Sequence, residues 1–422
     1  MTDTRTAERV WETWERLPFA ERKPVAAIAS ALRLTTAEVA GILLPGLAWE
    51  DSMEPIPHPR PSSAMTESDR RYELYGLTSS LEQAQADARE ETGLAGLERT
   101  RRLLHLTGQL PPHAPLTRSP SLDRFRGLMI GTAVGDSLGR PVEGHRRVSV
   151  DYVAEVITNP PPMRLTDDTA MTIGLAESLL AADGFSGDDL AQRFAENYRS
   201  DPDRGYGGGA IKVFKEVLRG MPWQKAAGSL FGGTGSYGNG AAMRVAPVAL
   251  WSFGDLGSTI RLAEETAKIT HTHPEGIEGA VLQAAAAWHA LHSDANGKLD
   301  LDGILSDLKH LAHTDEFTQA LEILPLCLDR DDEERTRLHL GNGVRASRSV
   351  ITALHCFLKA TAFEEAIVRA LQMGGDVDTI AAMTGALAGA RFGLAGIPEA
   401  WQQVEGRAQL LALADAIYAR RA

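Results

Sequence analysis

Residues 125–143 read Phe-Arg-Gly-Leu-Met-Ile-Gly-Thr-Ala-Val-Gly-Asp-Ser-Leu-Gly-Arg-Pro-Val-Glu. Three glycines in this stretch, Gly127, Gly131 and Gly135, recur every four residues. In an α-helix that spacing places them on one face, where the lack of side chains lets a second helix come close. The stretch therefore predicts a helix that packs tightly against another helix. Glu143 lies just beyond its end, where a loop carboxylate can reach a shared site.

Helical periodicity continues through the rest of residues 122–422, which are rich in Ala, Leu, Glu and Gln. Ser186 precedes one of the periodic runs as a candidate N-cap. Alternating strand patterns are scarce, so we predict an all-α body in which the glycine-rich segments 204–209 and 232–240 are loops. The predicted helices cover 171–182, 188–199, 260–269, 277–292, 346–372 and 378–392.

Two proline-rich stretches divide the chain. Residues 52–65 and 110–121 each carry several prolines, which disfavour helices and favour extended linkers. These linkers separate a small N-terminal domain (1–51) and a helical segment (66–109) from the main body (122–422). The sequence therefore predicts a helical N-terminal extension joined to one larger helical domain.

The N-terminal piece 1–51 fits two short helices with a turn near Leu34. One interpretation is a helix-turn-helix that reads DNA, and the other is a small helical hairpin for packing or for binding a partner. The second helix, Thr36–Leu44, carries no Arg, Lys, Asn or Gln to contact base edges. This composition argues against DNA binding and favours the hairpin.

The overall composition is that of a soluble globular protein, with 43% hydrophobic and 23% charged residues. A net charge of -13 argues against wholesale binding of nucleic acid. Cys327 and Cys356 lie in apolar stretches, which argues against a disulfide framework. No apolar leader follows Met1, and no apolar run approaches the roughly 20 residues needed to cross a bilayer. We therefore expect a cytoplasmic protein without a membrane span.

Two acidic clusters stand out among small and apolar residues. One reads Leu165-Thr-Asp-Asp-Thr-Ala170 and the other Met373-Gly-Gly-Asp-Val-Asp-Thr379. Either cluster alone is explained by helix N-capping, but the same Asp/Thr composition at two helix starts is not. Buried carboxylates need compensation, and hard divalent cations prefer oxygen ligands. The candidate metal ligands are Thr166, Asp167, Asp168, Asp376, Asp378 and Thr379.

A glycine-rich loop and a histidine pair are candidates for ligand binding. Residues 232–240, Gly-Gly-Thr-Gly-Ser-Tyr-Gly-Asn-Gly, can present backbone N–H groups to phosphate, but lack the ending of a P-loop. Tyr237 can stack on a base or ribose and Asn239 can hydrogen-bond to it, although such loops are also plain connectors. His271 and His273 lack a third zinc ligand nearby. A histidine at the edge of a ligand, or a structural histidine, fits them better.

Taken together, residues from about 122 to 395 resemble the ADP-ribosylglycohydrolase family, which includes dinitrogenase reductase-activating glycohydrolase. Asp203–Lys215, the Gly-Ser-Tyr-Gly-Asn loop and Leu340–Gly343 look most similar to the branch that removes serine-linked and polymeric ADP-ribose. The motifs that carry the resemblance are Gly135-Asp136 through Glu143, Leu165-Thr-Asp-Asp-Thr169, Arg204-Gly-Tyr-Gly207, Gly235-Ser-Tyr-Gly-Asn-Gly-Ala-Ala-Met-Arg244, Thr270-His271 and Gly374-Gly-Asp-Val-Asp-Thr379.

The resemblance implies an orthogonal helical bundle that holds two magnesium ions. It implies that the six Thr and Asp residues of the two acidic clusters are metal ligands, and that Glu143 is a mobile carboxylate beside the metals. The N-terminal extension departs from the usual single-domain member of the family. The residues that the resemblance assigns to an ADP-ribose pocket are Gly207, Gly208, Gly209, Ser236, Tyr237, Gly238, Asn239 and His271.

The implied activity is magnesium-dependent cleavage of the glycosidic bond at ribose C1″, releasing ADP-ribose from a modified protein or from poly-ADP-ribose. Glu143 is the expected general acid/base, and Asp168 and Asp376 are the other expected catalytic residues. Serine-linked or polymeric substrates are favoured, and arginine-linked ADP-ribose is an alternative. A different alternative is an immunity protein that neutralises an ADP-ribosyltransferase toxin through residues 1–120.

Overall fold

The structure is a computed structural model that describes residues 120–145, 148–294, 297, 299–329 and 333–420. The predicted N-terminal domain (1–51), the first linker (52–65) and the helical segment (66–109) lie outside the described residues, as does nearly all of the linker 110–121. Those domain assignments therefore stay predictions.

The described residues form α-helices and short 3₁₀ turns, and among them the only β pairing is an isolated bridge between Gly238 and Arg345. The all-α prediction is therefore confirmed. The helices are α1 Leu122–Gly139, α2 Val150–Thr158, α3 Asp167–Ala182, α4 Gly187–Ser200, α5 Gly208–Leu218, α6 Trp223–Gly228, α7 Ala246–Trp251, α8 Leu256–Ala267, α9 Pro274–His292, α10 Leu301–Leu311, α11 Asp315–Leu328, α12 Glu333–Leu340, α13 Ala346–Lys359, α14 Phe363–Met373, α15 Val377–Phe392 and α16 Arg407–Ala419. The 3₁₀ turns are Arg140–Val142, Leu230–Gly233, Asn239–Ala241 and Leu394–Gly396.

An antiparallel pair of buried helices, α1 and α15, forms the centre of the core. Gly131 faces Gly385 and Gly127 faces Gly389, and a Cβ added to any of these four glycines would overlap the carbonyl oxygen of its partner. The predicted glycine face therefore packs against a second helix, as expected. Because the two helices run in opposite directions, the end of α1 lies beside the start of α15.

Further helices cover this central pair. α9, α13 and α14 pack on α15, and α7 and α16 pack on α1. The middle of α9 is a run of four alanines, 284–287, all buried. Gln283 on the same helix donates from Nε2 to the carbonyl oxygen of Met383 at 3.1 Å, which ties α9 to α15. The central helices are thus surrounded by others, and both have polar residues at the end where α1 stops and α15 starts.

The prediction of one continuous helix over 346–372 is wrong, because α13 ends at Lys359 and α14 begins at Phe363. Ala360 adopts an extended conformation. Thr361 then donates from its backbone nitrogen and from its hydroxyl to Glu365, both at 2.8 Å. This local capping contact starts a new helix, and the apolar periodicity that continues across the break does not reveal it. The predicted N-cap of α4 is confirmed, since Ser186 accepts from the Asp189 nitrogen at 3.3 Å.

Two further expectations concern cysteines and membranes. Cys327 and Cys356 are both buried and unbonded to each other, which agrees with the expected lack of a disulfide. Within the described part of the chain, none of the helices combines the length and the apolar character needed to cross a bilayer.

Candidate active site

The end of α1 and the start of α15 are tied together by backbone hydrogen bonds. The Gly144 nitrogen donates to the Gly375 oxygen at 3.0 Å, and the Gly375 nitrogen donates to the His145 oxygen at 3.1 Å. A Cβ at Gly139 would lie 2.8 Å from the Asp378 nitrogen, so only glycine allows this approach. As a result Glu143 lies next to the acidic start of α15.

The second acidic cluster, Asp376 and Asp378, follows a tight glycine turn. Gly374 and Gly375 adopt φ values of +65° and +72°, which favour glycine. The Asp376 nitrogen donates to the Asn342 oxygen at 2.8 Å. The Asp376 side chain is also bonded, since Asn239 Nδ2 donates to Asp376 Oδ2. Neutral amide groups and backbone atoms therefore fix this cluster.

The first acidic cluster, Asp167 and Asp168, begins α3 and is fixed by another carboxylate. Asp136, fully buried on α1, accepts from the Thr166 nitrogen at 3.0 Å and from the Thr169 nitrogen at 3.2 Å. The Thr169 hydroxyl donates to Asp136 as well. Thr166 is the N-cap of α3, and its hydroxyl accepts from the Asp168 nitrogen at 3.2 Å. This helix start is thus attached to α1 through Asp136.

The segment 204–209 adjoins the first cluster. The Asp167 nitrogen donates to the Arg204 oxygen at 2.8 Å. Arg204 in turn donates to the Leu165 oxygen at 3.0 Å and to Glu405 at 2.8 Å. Arg204 therefore joins the 204–209 segment to the residues that precede α3.

The two acidic clusters meet where α3 and α15 begin. The Thr379 hydroxyl donates to Asp168 Oδ1 at 3.2 Å. Carboxylate oxygens of Glu143, Asp376 and Asp378 all lie within 4.8 Å of one another. Asp168 Oδ2 and Asp378 Oδ1 are buried without a hydrogen-bond partner among the described residues. Such orphaned carboxylate oxygens, grouped with hydroxyl oxygens, form a donor set that suits a hard divalent cation.

Burial and mutual repulsion disfavour the ionised forms of these carboxyl groups. Burial, and then the neighbouring Asp136, raise the pKa of Asp167 to about 8. Burial is the main cause that raises the pKa of Asp376 to about 7. The pKa values of Asp168 and Asp378 lie well above their usual range, because both groups are buried and each has another carboxylate beside it. A bound cation would reverse these shifts by stabilising the charged forms.

The 232–240 loop contacts Asp376 through Asn239 and is joined to the residues at the start of α13. The Asn239 nitrogen donates to the Val344 oxygen at 2.9 Å, and the Ala346 nitrogen donates to the Tyr237 oxygen at 3.1 Å. The Ser236 hydroxyl accepts from the Gly238 nitrogen at 3.3 Å, which stabilises the turn itself. The loop is therefore a fixed structure that reaches the acidic centre through Asn239.

His271 lies beneath this loop. Its Nδ1 is 2.7 Å from the Thr270 hydroxyl, and its Nε2 is 3.3 Å from where a Cβ on Gly240 would lie. Burial, together with the buried Arg244 guanidinium, lowers the pKa of His271 to about 3, so the imidazole is neutral at physiological pH. His273 instead caps α9 by accepting from the Glu275 nitrogen at 3.2 Å. The two histidines thus have separate roles, and His273 is structural.

The glycines 207–209 form the start of α5. Gly207 is the N-cap and makes no side-chain capping bond. A Cβ at Gly207 or Gly208 would meet no atom within 4 Å, so the backbone here is open to an incoming group. A Cβ at Gly209 would lie 3.6 Å from the ring of Phe231. The open helix start therefore has an aromatic side chain next to it.

The structure brings together Glu143, the two acidic clusters and Asn239, assigns His273 to the cap of α9, and adds further residues. Asp136 and Asn342 were quoted only as parts of motifs, yet they hold the two acidic clusters in place. Phe231 was not nominated, although it is 61% exposed and adopts φ +50°, a backbone conformation rare for residues other than glycine. A large apolar residue directly before a glycine run is the sequence signal that would have identified it. The catalytic, metal-binding and substrate-binding roles of the nominated residues stay predictions.

The fold and the site define a class of all-α proteins with an acidic, oxygen-lined centre at converging helix starts. A family model for ADP-ribosylglycohydrolases matches residues 117–422. The chain is 35% identical to ADP-ribosylhydrolase ARH3 of Mus musculus and 34% identical to that of Homo sapiens, with 71% of this chain and 92–93% of each relative covered.

A more distant relative and a solved structure agree. The identity to ADP-ribosyl-[dinitrogen reductase] glycohydrolase of Rhodospirillum rubrum is 26%, over 66% of this chain and 89% of that one. A solved structure described as an ADP-ribosylglycohydrolase-related protein complex is 29% identical, with a TM-score of 0.58, and covers 71% of this chain and 98% of its own. The chain therefore belongs to the ADP-ribosylglycohydrolase family, and it is a glycohydrolase enzyme.

Proposed function

We propose that this protein is a magnesium-dependent hydrolase that cleaves the glycosidic bond at ribose C1″ and releases ADP-ribose. The observation that carries the proposal is the pair of buried, unpartnered oxygens, Asp168 Oδ2 and Asp378 Oδ1, between two acidic helix starts. Leaving such atoms unpaired costs about 1–3 kcal/mol each, and more for charged groups. A cation that binds both clusters offsets this cost.

Two Mg²⁺ ions are the proposed cofactor. When bound, the ions would hold the ribose hydroxyls and orient the attacking water. The residues that would hold them are Glu143, Thr166, Asp167, Asp168, Asp376, Asp378 and Thr379. Carboxylate and hydroxyl oxygens are the ligands that Mg²⁺ prefers.

Glu143 is the proposed general acid/base. It lies at the surface end of the site, within 4.8 Å of Asp376 and Asp378 oxygens, and is exposed to solvent. Desolvation nevertheless raises its pKa above the usual range, an effect that Arg140 opposes. A carboxyl group that is protonated more readily can donate its proton to the leaving oxygen as the C1″ bond breaks. As a carboxylate, it can then accept a proton from water.

The rest of ADP-ribose would lie along the two glycine segments. The open N-terminus of α5, Gly207 to Gly209, offers backbone N–H groups to the pyrophosphate. The neutral His271 and the Ser236–Asn239 loop offer hydrogen bonds beyond it. Tyr237 and the exposed Phe231 offer flat aromatic surfaces for the adenine base. These features allow a protein of net charge -13 to bind an anionic substrate.

Serine-linked ADP-ribose and poly-ADP-ribose are the favoured substrates, because several relatives at 33–35% identity are ADP-ribosylhydrolases named ARH3. Arginine-linked ADP-ribose is the second candidate, favoured by the 26% identity to the dinitrogen reductase glycohydrolase. The immunity-protein alternative rests on residues 1–120 and stays a prediction, as does the cytoplasmic location.

A panel of defined ADP-ribosyl linkages tests the proposal. Serine-linked peptide, arginine-linked peptide and poly-ADP-ribose are each incubated with the full chain, with Mg²⁺ or with excess chelator. We expect release of ADP-ribose from at least one substrate, lost in chelator and lost in Asp378→Ala. Asp302→Asn, an exposed aspartate in the first turn of α10, is the matched control and should keep full activity. Full activity in excess chelator would contradict the metal mechanism, and no release from any linkage would contradict the proposed activity.

A further inference from the structure

A partly buried network of charges supports the Tyr237 ring. The guanidinium carbon of Arg345 lies 5.2 Å from the centroid of the Tyr237 ring, over its face. The ring of His273 meets Tyr237 edge-on, with 5.9 Å between centroids. Backbone pairing between 237–239 and 344–346 holds the two segments in register. Arg345 and Tyr237 are therefore held face to face by both side chain and backbone.

Arg345 is itself fixed by carboxylates. Its Nε donates to Glu275 Oε1 at 2.8 Å, and its Nη2 donates to Glu275 Oε2 at 2.8 Å. Nη2 also donates to Glu316 at 2.9 Å. Glu275 is fully buried and accepts from the Ser347 nitrogen at 3.2 Å as well. Burial opposes ionisation of Glu275, but the Arg345 charge outweighs it and holds the pKa of Glu275 below its usual value.

This geometry fixes the orientation of the guanidinium plane. A bidentate pair allows little rotation, whereas a lysine ammonium in its place would be a point charge without a preferred plane. A buried ion pair contributes little net stability compared with apolar residues of the same volume. Stability alone therefore does not account for a guanidinium held over an aromatic ring at the edge of the candidate site.

We propose that Arg345, fixed by Glu275, is a positioning residue that supports Tyr237 from one face so that the adenine base of ADP-ribose stacks on the ring. This inference rests on the proposed function. The guanidinium limits movement of the ring and adds a cation–π contact on the face turned away from the base. Arg345 touches neither the ribose nor the acidic centre in this account, so its contribution is to binding and not to bond cleavage.

The test begins with wild-type full-length protein. Direct calorimetric binding of ADP-ribose in the presence of Mg²⁺ must be detectable, and its absence would contradict the proposed function, whatever the role of Arg345. Inhibition constants for ADP-ribose, for ADP and for ribose 5-phosphate are then measured in Arg345→Met, Arg345→Lys and Glu275→Gln. ADP contains the base, whereas ribose 5-phosphate does not.

We expect Arg345→Met to weaken the binding of ADP-ribose and of ADP by roughly 3–30-fold, the range of a partly desolvated cation–π contact. KM should rise by a similar factor, kcat should stay within about twofold, and ribose 5-phosphate inhibition should not change. Arg345→Lys and Glu275→Gln should show a smaller loss of the same kind, because each keeps a positive charge near the ring but loses the bidentate geometry.

The proposal would be overturned if ribose 5-phosphate binding weakened as much as ADP-ribose binding, or if kcat fell with KM unchanged. Either result indicates general damage to the site. Unchanged affinity for ADP-ribose in Arg345→Met would overturn it too. Arg193→Met is the control, because Arg193 also pairs with two carboxylates, Glu177 and Asp189, but on α3 and α4. It should leave all three inhibition constants unchanged. If Arg345→Met does not fold, the lysine variant alone decides by the same criteria.

Discussion

The two acidic clusters have nearly the same composition but opposite kinds of support. Asp167 and Asp168 are fixed to α1 through a third carboxylate, Asp136, which accepts from the start of α3. Asp376 and Asp378 are fixed by a glycine turn, by the neutral side-chain amide of Asn239 and by the backbone oxygen of Asn342. The support of the first cluster adds negative charge to the site, and that of the second does not.

This difference shows why the first cluster should depend more on a cation. Burial raises the pKa of Asp136 to about 6, and Asp136 in turn contributes to the raised pKa values of Asp167 and Asp168. Without a metal ion, the first cluster and its support Asp136 hold three carboxyl groups close together. Substitutions that remove charge or displace one cluster at a time test this account.

The largest effect is expected for Asp168→Asn and Asp378→Asn. Each removes a proposed ligand, so hydrolysis should fall by roughly 10³-fold or more. The double variant should be little worse than either single variant, because the clusters act as one unit. Initial rates of ADP-ribose release at saturating Mg²⁺ measure this. A loss that multiplies in the double variant would show that the two clusters act independently.

Gly139→Ala should displace the second cluster and leave the first in place. The added Cβ would overlap Asp378 at the start of α15, and the three atoms nearest to it all belong to Val377 and Asp378. We expect activity to fall by about 100-fold, since overpacking moves a backbone that carries ligands. Gly208→Ala is the stability control, because a Cβ at Gly208 would meet no atom within 4 Å. This variant should leave the melting temperature nearly unchanged. Equal activity of Gly139→Ala and wild type would contradict the assigned contact.

Removing the supports should weaken metal binding without abolishing it. Asp136→Asn removes the charge that accepts from the start of α3, and Asn342→Ala removes the side-chain amide that donates to the Met373 oxygen at 2.8 Å, just before the glycine turn. Neither group is proposed to touch the metal, and loss of such an orienting group typically costs about 10–100-fold in affinity. The Mg²⁺ concentration for half-maximal activity measures the effect. Asp136→Asn loses an acceptor but also lowers repulsion, so it should be the milder of the two at low Mg²⁺. The reverse order would show that the charge of Asp136 does not oppose the site.

Metal-free protein should lose stability as the pH rises. The pKa of Asp167 is raised from 3.8 to about 8 in the folded chain, so between these values the folded chain holds a proton that the unfolded chain releases. The unfolded form is therefore favoured as pH increases. The melting temperature in chelator should fall between pH 5.5 and pH 8.5, and Mg²⁺ should reduce the fall. A flat profile in chelator would indicate that these groups titrate normally.

Much of the site could be predicted from the sequence, because its determinants are local. The glycine spacing of α1, the Asp/Thr composition of both helix starts and the glycine run 232–240 are all visible along the chain. Gly385 and Gly389 repeat the same four-residue spacing, so the face of α15 that packs on α1 is also visible in the sequence. These features specify close helix packing and ligand-rich helix starts without knowledge of the tertiary structure.

The residues that hold the acidic clusters in place could not be predicted in the same way. Asp136 lies in the last turn of α1, and only its burial against the start of α3 identifies it as an anchor. The Asn342 backbone oxygen accepts from the Asp376 nitrogen, 34 positions later in the sequence, and no local pattern predicts this contact. The break between α13 and α14 depends on one capping contact at Thr361, within an unbroken apolar periodicity. Tertiary contacts decide each of these features.

The central claim is that both clusters together bind the divalent cations. Calorimetric titration of Mg²⁺ into metal-free protein tests it most directly, with wild type, Asp168→Asn, Asp378→Asn and the control Asp302→Asn compared at one pH. The account predicts saturable binding of two ions in wild type and in Asp302→Asn, and loss of at least one ion in either cluster variant. Unchanged stoichiometry and affinity in both cluster variants would contradict it.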